Sequence, residues 1–418
     1  MNNAFKPADI LVPKKETDIK KWSVIACDQY TSEPEYWEET EKNVGDSPSA
    51  LRLILPEIFL ESQDVDKRIS NIHETMEKYV SEGMFEEYKN SMVYIERTQS
   101  NGIVRKGILG MIDLEEYDFS KGSSSQVRAT EATVIERIPP RIKIRDGALL
   151  ELPHIMILID DENGTVIEPL ASKKNSMKKL YDTELMQSGG SIEGYLISDE
   201  GCKEVISNLD KLGDKDAFSA KYGDVPLLLY AMGDGNHSLA TAKEYYEQLK
   251  KNSPDKDFSK HPARYALAEI VDLHSPALQF EAIHRVITET DCSKLIEDMT
   301  KALELSETPS EQSFEIVLNG SRKKMFIHKQ TSNLTVGSLQ NFLDAYLAEN
   351  SGKIDYIHGT DTVIKLVNSD SSIGFILPDM SKSELFPTVI KDGALPRKTF
   401  SMGHAEDKRY YIEARKIR

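Results

Sequence analysis

Three Asn-Gly dipeptides, Asn101-Gly102, Asn163-Gly164 and Asn319-Gly320, each stand between two apolar runs. Asn-Gly accepts the positive φ angles of a tight turn, so a dipeptide of this kind between strand-like runs predicts a hairpin. The predicted pairs are Met92–Arg97 with Ile103–Asp113, Ile155–Ile159 with Thr165–Pro169, and Phe314–Leu318 with Lys323–His328. Hairpins require antiparallel pairing, which excludes a purely parallel doubly wound sheet. Other stretches carry helical spacing. Val65, Ile69, Ile72, Met76 and Tyr79 recur every three or four residues and stop before Gly83. Tyr36–Val44 behind Pro34, and Leu339–Leu347 running toward Gly352, read the same way. The expected class is α/β to α+β, with mixed sheets and several antiparallel hairpins. Asn208–Asp224 and Lys250–Lys260 are polar and broken by Gly or Pro, which predicts surface loops. A division near residue 290 would give an α/β core, 1–290, and a C-terminal α+β region, 291–418.

Charge narrows the partners. Lys and Arg number 52 against 69 Asp and Glu, a net charge of −17. A chain this acidic repels a phosphate backbone unless it concentrates a basic patch, and the sequence has no basic run, so nucleic acid is not an expected partner. Apolar runs such as Val225–Met232 are too short to cross a bilayer, and Met1–Pro7 lacks the apolar core of a signal peptide. Cys27, Cys202 and Cys292 are odd in number and far apart, which argues against a disulfide framework or a CxxC zinc site. The expectation is a cytoplasmic protein, a homodimer by default, that acts on a small molecule.

The segment richest in chemistry follows Val225–Met232. Gly233-Asp234-Gly235-Asn236-His237-Ser238 comes next, and then Leu239, Ala242, Tyr246 and Leu249 at helical spacing. Strand, glycine turn and helix start together present backbone N–H groups and a positive dipole end to an anion. Asn236 is the expected N-cap. Two glycines allow a phosphate to approach the backbone, Asp234 is a carboxylate able to hold a metal ion, and His237 can donate a hydrogen bond or move a proton. The bland alternative is a left-handed turn whose Asp and Asn only cap the helix. No GxxxxGK[ST] occurs, and the near-match to a dinucleotide fingerprint is not followed by a strand carrying a ribose-binding acid. Three further clusters hold polar groups: Arg128 to Glu131 before Pro139-Pro140, His284-Arg285 within Phe280–Val286, and Arg397-Lys398 near the C-terminus. Arg128 could clamp an anion and Glu131 could act as a base; each cluster could equally be a solvated edge or a salt-bridging surface. Asp28 follows the apolar run Trp22–Ala26, at an expected strand end.

Taken in order, Asp28-Gln-Tyr, Arg128…Glu131-Ala-Thr133, Gly233–His237, Ala282-Ile-His284-Arg285 and Leu395-Pro-Arg-Lys398-Thr-Phe400 resemble a bacterial and archaeal family catalogued as domain-of-unknown-function family 1015. The resemblance covers almost the whole chain. It implies a ParB/sulfiredoxin-like nucleotide-binding core and phosphorylation of free L-serine from a nucleotide donor, ATP or ADP with Mg²⁺. The Gly233–Ser238 loop would hold the donor's phosphates on the N–H groups of Gly235 and Asn236, with a hydrogen bond from His237. Asp234 or Asp28 would help hold Mg²⁺, Glu131 would be the base, and Arg128, His284, Arg285 and Lys398 would face the nucleotide. The sequence departs from the family pattern at Ser238, where the family has arginine in Asp-Gly-His-His-Arg, at Ala129-Thr130, where it has Arg-His before the acid, and at Ala26-Cys27, where it has Pro-Tyr. Lys243, His284 and Lys398 are the cations considered as substitutes. Three function classes stay open: a small-molecule phosphotransferase, a nucleotide-binding regulatory module without metabolite turnover, and a metal-assisted phosphoester hydrolase using Asp234, His237, His358, Asp361 and His404.

Overall fold

In the computed structural model, which describes residues 3–133 and 135–418, the chain divides into two units. The first is Met1–Leu278 with Gly403–Arg418, and the second is Gln279–Met402. The strand Phe280–Thr288 pairs with three other strands of the second unit. Residues after Gly403 return to the first unit, where Ile25 bridges Arg409 and Arg415–Lys416 pairs with Leu150–Glu151. Those pairings put the change of unit near 279 and again near 403, where composition suggested a single cut at 290.

A mixed sheet of ten strands organises the first unit. Its order is Lys178–Glu184, Ser191–Leu196, Val93–Thr98, Val104–Asp113, Tyr265–Asp272, Met156–Ile159, Tyr230–Asp234, Val127–Arg128 and Tyr117–Asp118, with Phe5–Lys6 added to Val104–Asp113. The pairs Tyr265–Asp272 with Met156–Ile159 and Tyr230–Asp234 with Val127–Arg128 are parallel. Both faces of the sheet are covered, so its central strands are apolar on both phases. Tyr94, Ile108, Ile157 and Ile270 pack with Leu239, Ala242 and Tyr246 of helix Asn236–Asn252. Val93, Ile95, Leu109 and Leu267 pack with Ile69, Ile72, Met76 and Tyr79 of helix Val65–Ser81. The three- and four-residue spacing thus becomes one buried stripe per helix. No helix among the described residues is long and apolar enough to cross a membrane.

Two of the three predicted hairpins form, Val93–Thr98 with Val104–Asp113 and, in the second unit, Gln312–Leu318 with Ser321–Ile327. The third does not. Asp161 accepts hydrogen bonds from Thr165 Oγ1 at 3.0 Å and Val166 N at 2.7 Å, and the chain enters helix Glu168–Lys173 instead of a strand. The local side-chain turn outcompetes the ladder. Residues 208–224, expected as a loop, hold most of helix Asp199–Leu212's last turn and helix Lys215–Tyr222. Val205 and Leu209 are buried, and Asp214 caps the second helix by accepting from Asp216 N and Ala217 N. The strand expected over Val225–Met232 begins only at Tyr230, because Leu229 N and Tyr230 N both donate to the Gln126 carbonyl at its edge.

The second unit is a seven-stranded antiparallel sheet ordered Leu305–Ser306, Ser321–Ile327, Gln312–Leu318, Ile373–Ile376, Phe280–Thr288 and Lys353–His358, with Phe400–Met402 beside Phe280–Thr288. Helices Cys292–Leu303, Thr335–Glu349, Thr360–Leu366 and Leu385–Asp392 belong to the same unit.

Candidate active site

Gly233 lies at an irregularity in the ladder: Met232 pairs with Ile157 but Asp234 pairs with Met156. A bulge of this kind re-aims the residue that follows it. Gly235 then turns the chain into helix Asn236–Asn252 at φ 81°, the left-handed region. A Cβ there would meet Ile155 Cα at 3.1 Å, so both backbone angle and space favour glycine. The N-cap is therefore Gly235, and Asn236, expected as the cap, is the first helical residue. Its Oδ1 is buried without a partner. The Gly235 N–H, expected to face a phosphate, donates to Asp234 Oδ1 at 2.9 Å. The amides of Asn236 and Ser238 lie in the first turn, where a helix offers no acceptor of its own.

Three distant segments close around this turn. The C-terminal segment brings Lys408 Nζ to 3.8 Å from Asp234 Oδ2. Val24–Ala26 pairs with that segment, Ala26 N donating to the Lys408 carbonyl at 2.8 Å and Tyr410 N to that of Val24 at 3.0 Å. This leaves Asp28 in a turn just beyond the bridge, and not at the end of a regular strand. Asp28 reaches solvent at a crowded rim. The surrounding protein raises its carboxyl pKa, but the His154 ring, the Gln29 amide at 2.9 Å and Lys408 outweigh that and hold it below the ordinary carboxylate range. His154, just before strand Met156–Ile159, is hydrogen-bonded through Nε2 to Ser238 Oγ at 3.0 Å and sits edge-on to Tyr410.

Below Ser238 and His154 lies a cavity of about 150 Å³, also lined by Cys27, Glu57, Arg141 and Tyr410. Arg141 is ion-paired with Glu57. Burial first, and then the Asp28 charge, push the Cys27 thiol up to about 12, so it is a lining group and not a nucleophile.

The structure brings Asp28, Asp234, His237 and Ser238 into one neighbourhood of the first unit. Glu131 is drawn toward it: Val127–Arg128 runs parallel to Tyr230–Ala231, and Thr130 Oγ1 donates to the Met232 carbonyl at 2.8 Å. Arg128 is used differently from the expected anion clamp. Its Nε donates to the Ser125 carbonyl at 2.7 Å, and its Nη2 to those of Pro226 and Leu227, both at 2.9 Å. It fastens the chain entering the loop strand. Lys243 donates to the Leu114 carbonyl at 2.9 Å and pairs with Glu247. His284, Arg285 and Lys398 belong to the second unit. His284 Nδ1 accepts from Leu377 N at 3.2 Å, while Arg285 Nε and Nη2 donate to Gln340 Oε1 at 3.0 Å and the Arg397 carbonyl at 2.9 Å. Lys398 is exposed. Of the residues weighed for a metal-assisted hydrolase, His358 and Asp361 also lie in the second unit, and His404 in the first.

His154 and Lys408 were not singled out. They reach the loop from 84 residues upstream and from the chain's last segment, and no local pattern announces such a contact. Asp160, Glu162 and His274 also converge closely enough to hold a metal ion. The Lys221 ammonium already sits 2.8 Å from Asp160 and 2.7 Å from Glu162, which neutralises that cluster.

The family model described as "Protein of unknown function (DUF1015)" matches residues 6–346. No curated protein matches the chain significantly. Among solved structures, a free serine kinase in complex with AMP is similar at 13% identity and TM-score 0.36, covering 70% of this chain and 86% of that one. A conserved hypothetical protein from Pyrococcus furiosus is similar at 11% identity and TM-score 0.33, covering 70% and 90%. SbnI with a C-terminal truncation, from Staphylococcus aureus, is similar at 9% identity and TM-score 0.35, covering 71% and 82%.

Proposed function

The chain belongs to the DUF1015 family, and from that premise we propose that it is a nucleotide-dependent phosphotransferase acting on a small hydroxylated metabolite of the L-serine type. The observation that carries this reading is the convergence of Asp28, Asp234 and Lys408 at the turn into helix Asn236–Asn252. Phosphoryl transfer asks little covalent chemistry of a protein; it needs phosphate held in place, charge neutralised and a hydroxyl deprotonated. First-turn amides and the helix dipole supply the first. Lys408, 3.8 Å from Asp234, would supply the cation that the family's arginine supplies at the position of Ser238. Lys243 is engaged by Leu114 and Glu247, and His284 and Lys398 belong to the second unit, which leaves the role to Lys408.

Asp28 and Asp234 are the carboxylates that would hold Mg²⁺ together with phosphate oxygens, Lys408 standing 3.8 Å from Asp234, beyond the close pairing by which Lys221 occupies Asp160 and Glu162. Bound there, the ion would neutralise charge on the transferred group. Glu131 would take the proton of the acceptor hydroxyl as its oxygen bonds to phosphorus and the bond to the nucleotide breaks. The cavity beneath Ser238 and His154, at about 150 Å³, has room for a small metabolite and not for a drug-sized ligand. It is the proposed acceptor pocket.

The test is purified protein with Mg²⁺, ATP or ADP in parallel, and a panel of free amino acids and polyols headed by L-serine, with phosphorylated product read by mass spectrometry. Phosphoserine formed by the wild type and lost in His237→Ala supports the proposal. The departure at Ser238 favours one second reading, a nucleotide-binding regulatory module. Measurable nucleotide binding with no product from any acceptor would replace the first reading with that one, and absence of binding would sink both.

A further inference from the structure

Arg97 and Arg105 are direct cross-strand partners in the antiparallel pair Val93–Thr98 with Val104–Asp113. Both side chains lie inside the first unit, and like charges placed opposite one another repel. A third guanidinium, Arg409, adds to the same field and, with Arg105 and burial, lowers the pKa of Arg97. Arg97 and Arg409 are each only 2% exposed. Charges held this deep normally carry a hydrogen-bonded counter-ion.

The carboxylates nearby offset part of this charge, Asp407 acting on both Arg97 and Arg409, but they hydrogen-bond elsewhere. Glu269 Oε2 accepts from Arg105 Nη2 at 3.0 Å and from the Tyr411 hydroxyl. Asp407 accepts from Ser100 N at 2.9 Å and Ser100 Oγ at 3.0 Å. Glu413 accepts from the Tyr181 hydroxyl at 2.7 Å. Among the described residues, no carboxylate lies within salt-bridge distance of Arg97 or Arg409. Arg409 Nη2 donates to the Ser23 carbonyl at 2.8 Å, and Arg97 Nη2 makes one long contact of 3.5 Å with the Glu406 carbonyl. Arg97 Nε, Arg409 Nε and Arg409 Nη1 are buried with no acceptor. The Tyr36 hydroxyl lies against the Arg409 guanidinium and is its side-chain hydrogen-bonding neighbour. Unused buried donors that share one sign of charge are what an absent anion leaves behind.

We propose that Arg97 and Arg409, with the Tyr36 hydroxyl, form an internal site for a small oxyanion, a carboxylate or a phosphate group. The planar guanidinium fork suits either group. The anion would take up the excess positive charge of Arg97 and Arg409, Arg105 being paired with Glu269, and supply acceptors for the orphaned N–H groups. It does not depend on nucleotide or metal, and it stands whether or not the phosphotransferase reading holds.

Equilibrium dialysis of the full chain, free of nucleotide and Mg²⁺, against radiolabelled inorganic phosphate and, separately, acetate is the primary test. One saturable site per chain for either anion is expected, with the preferred anion identifying the source. Thermal melts should show a saturating rise on the order of 5 °C at a hundredfold excess over Kd, with no comparable rise in chloride at equal ionic strength. Arg97→Met and Arg409→Met should lose that rise. They should also melt no lower than the anion-free wild type, because each removes a buried charge that has no ion-pair partner. A purely structural arginine would instead lower the anion-free melting temperature. Should either variant fail to fold, dialysis of the wild type decides: no saturable anion overturns the site, as does an anion response unchanged in a folded variant.

Discussion

The loop Gly233–Ser238 and the strand segment Ala282–Arg285 present the same kinds of side chain, histidine, a charged group and small neighbours, inside apolar surroundings. The fold treats them oppositely. In the loop, Asn236 Oδ1 has no partner, Asp234 stands 3.8 Å from the Lys408 ammonium, and Asp28 feels the same charge at a solvent-accessible rim. In the strand, Arg285 is wholly buried, donates to Gln340 and to the carbonyls of Ile283 and Arg397, and lies over the Tyr356 ring. A polar side chain already satisfied by the backbone holds structure; one whose capacity is left over can act on a ligand.

The largest expected effect tests the loop. Asp234→Asn keeps an oxygen for the Gly235 amide and removes the charge facing Lys408. Nucleotide-dependent turnover should fall roughly 10³-fold, with the melting temperature within about 2 °C of wild type. Steady-state assays and calorimetry on the same preparation check both. A folded variant with near-normal turnover would remove Asp234 from the site. Next, Arg285→Ala should cost about 3 kcal/mol of stability in urea denaturation, because it strands buried acceptors and opens a void. If Arg285→Ala folds normally but loses nucleotide binding, the segment is functional after all and the comparison fails.

The difference explains how much could be read beforehand. Strand, glycine turn and helix at Gly233 were legible because periodicity and turn chemistry are local. Two hairpins were legible for the same reason. The Asp161 turn was not, since Asn163-Gly164 carries the same hairpin signal whether or not a nearby carboxylate captures Thr165 and Val166 first. His154, Lys408 and the facing arginines Arg97 and Arg105 depend on pairing between distant segments. Arg97 follows the apolar run Met92–Ile95 and Glu96, and so reads as the solvent-facing end of a strand until the sheet is known to be covered on both sides.

A smaller effect concerns a buried carboxyl with no charged partner, only one of whose oxygens is hydrogen-bonded. Burial pushes the Glu413 carboxyl up to about 7, against the hydrogen bond from Tyr181 that lowers it. The folded state therefore binds the proton more tightly than the unfolded one, and stability contributed by the neutral acid is present below the ordinary glutamate range and lost as pH rises toward 7. Glu413→Gln keeps an acceptor for Tyr181 and cannot ionise. Relative to wild type it should gain on the order of 1–3 kcal/mol at pH 8 and little at pH 4.5, read from denaturant midpoints at the two pH values. A gain equal at both would show that the carboxyl does not titrate as its burial demands.

The smallest expected effect probes an exposed cation of the second unit. Lys398 is exposed and holds a left-handed backbone at φ 56°. Lys398→Gly relieves that strain, about 1 kcal/mol for an L-residue, and gives back a similar amount in unfolded-state freedom. Stability should change by less than about 0.5 kcal/mol. Turnover should stay within about twofold of wild type if Lys408 and the helix amides carry the phosphate charge. A loss of tenfold or more in kcat with unchanged stability would mean that an ammonium from the second unit reaches the transferred group. Availability of unused polar capacity would still separate functional from structural groups, but the boundary between them would no longer follow the division of the chain into units.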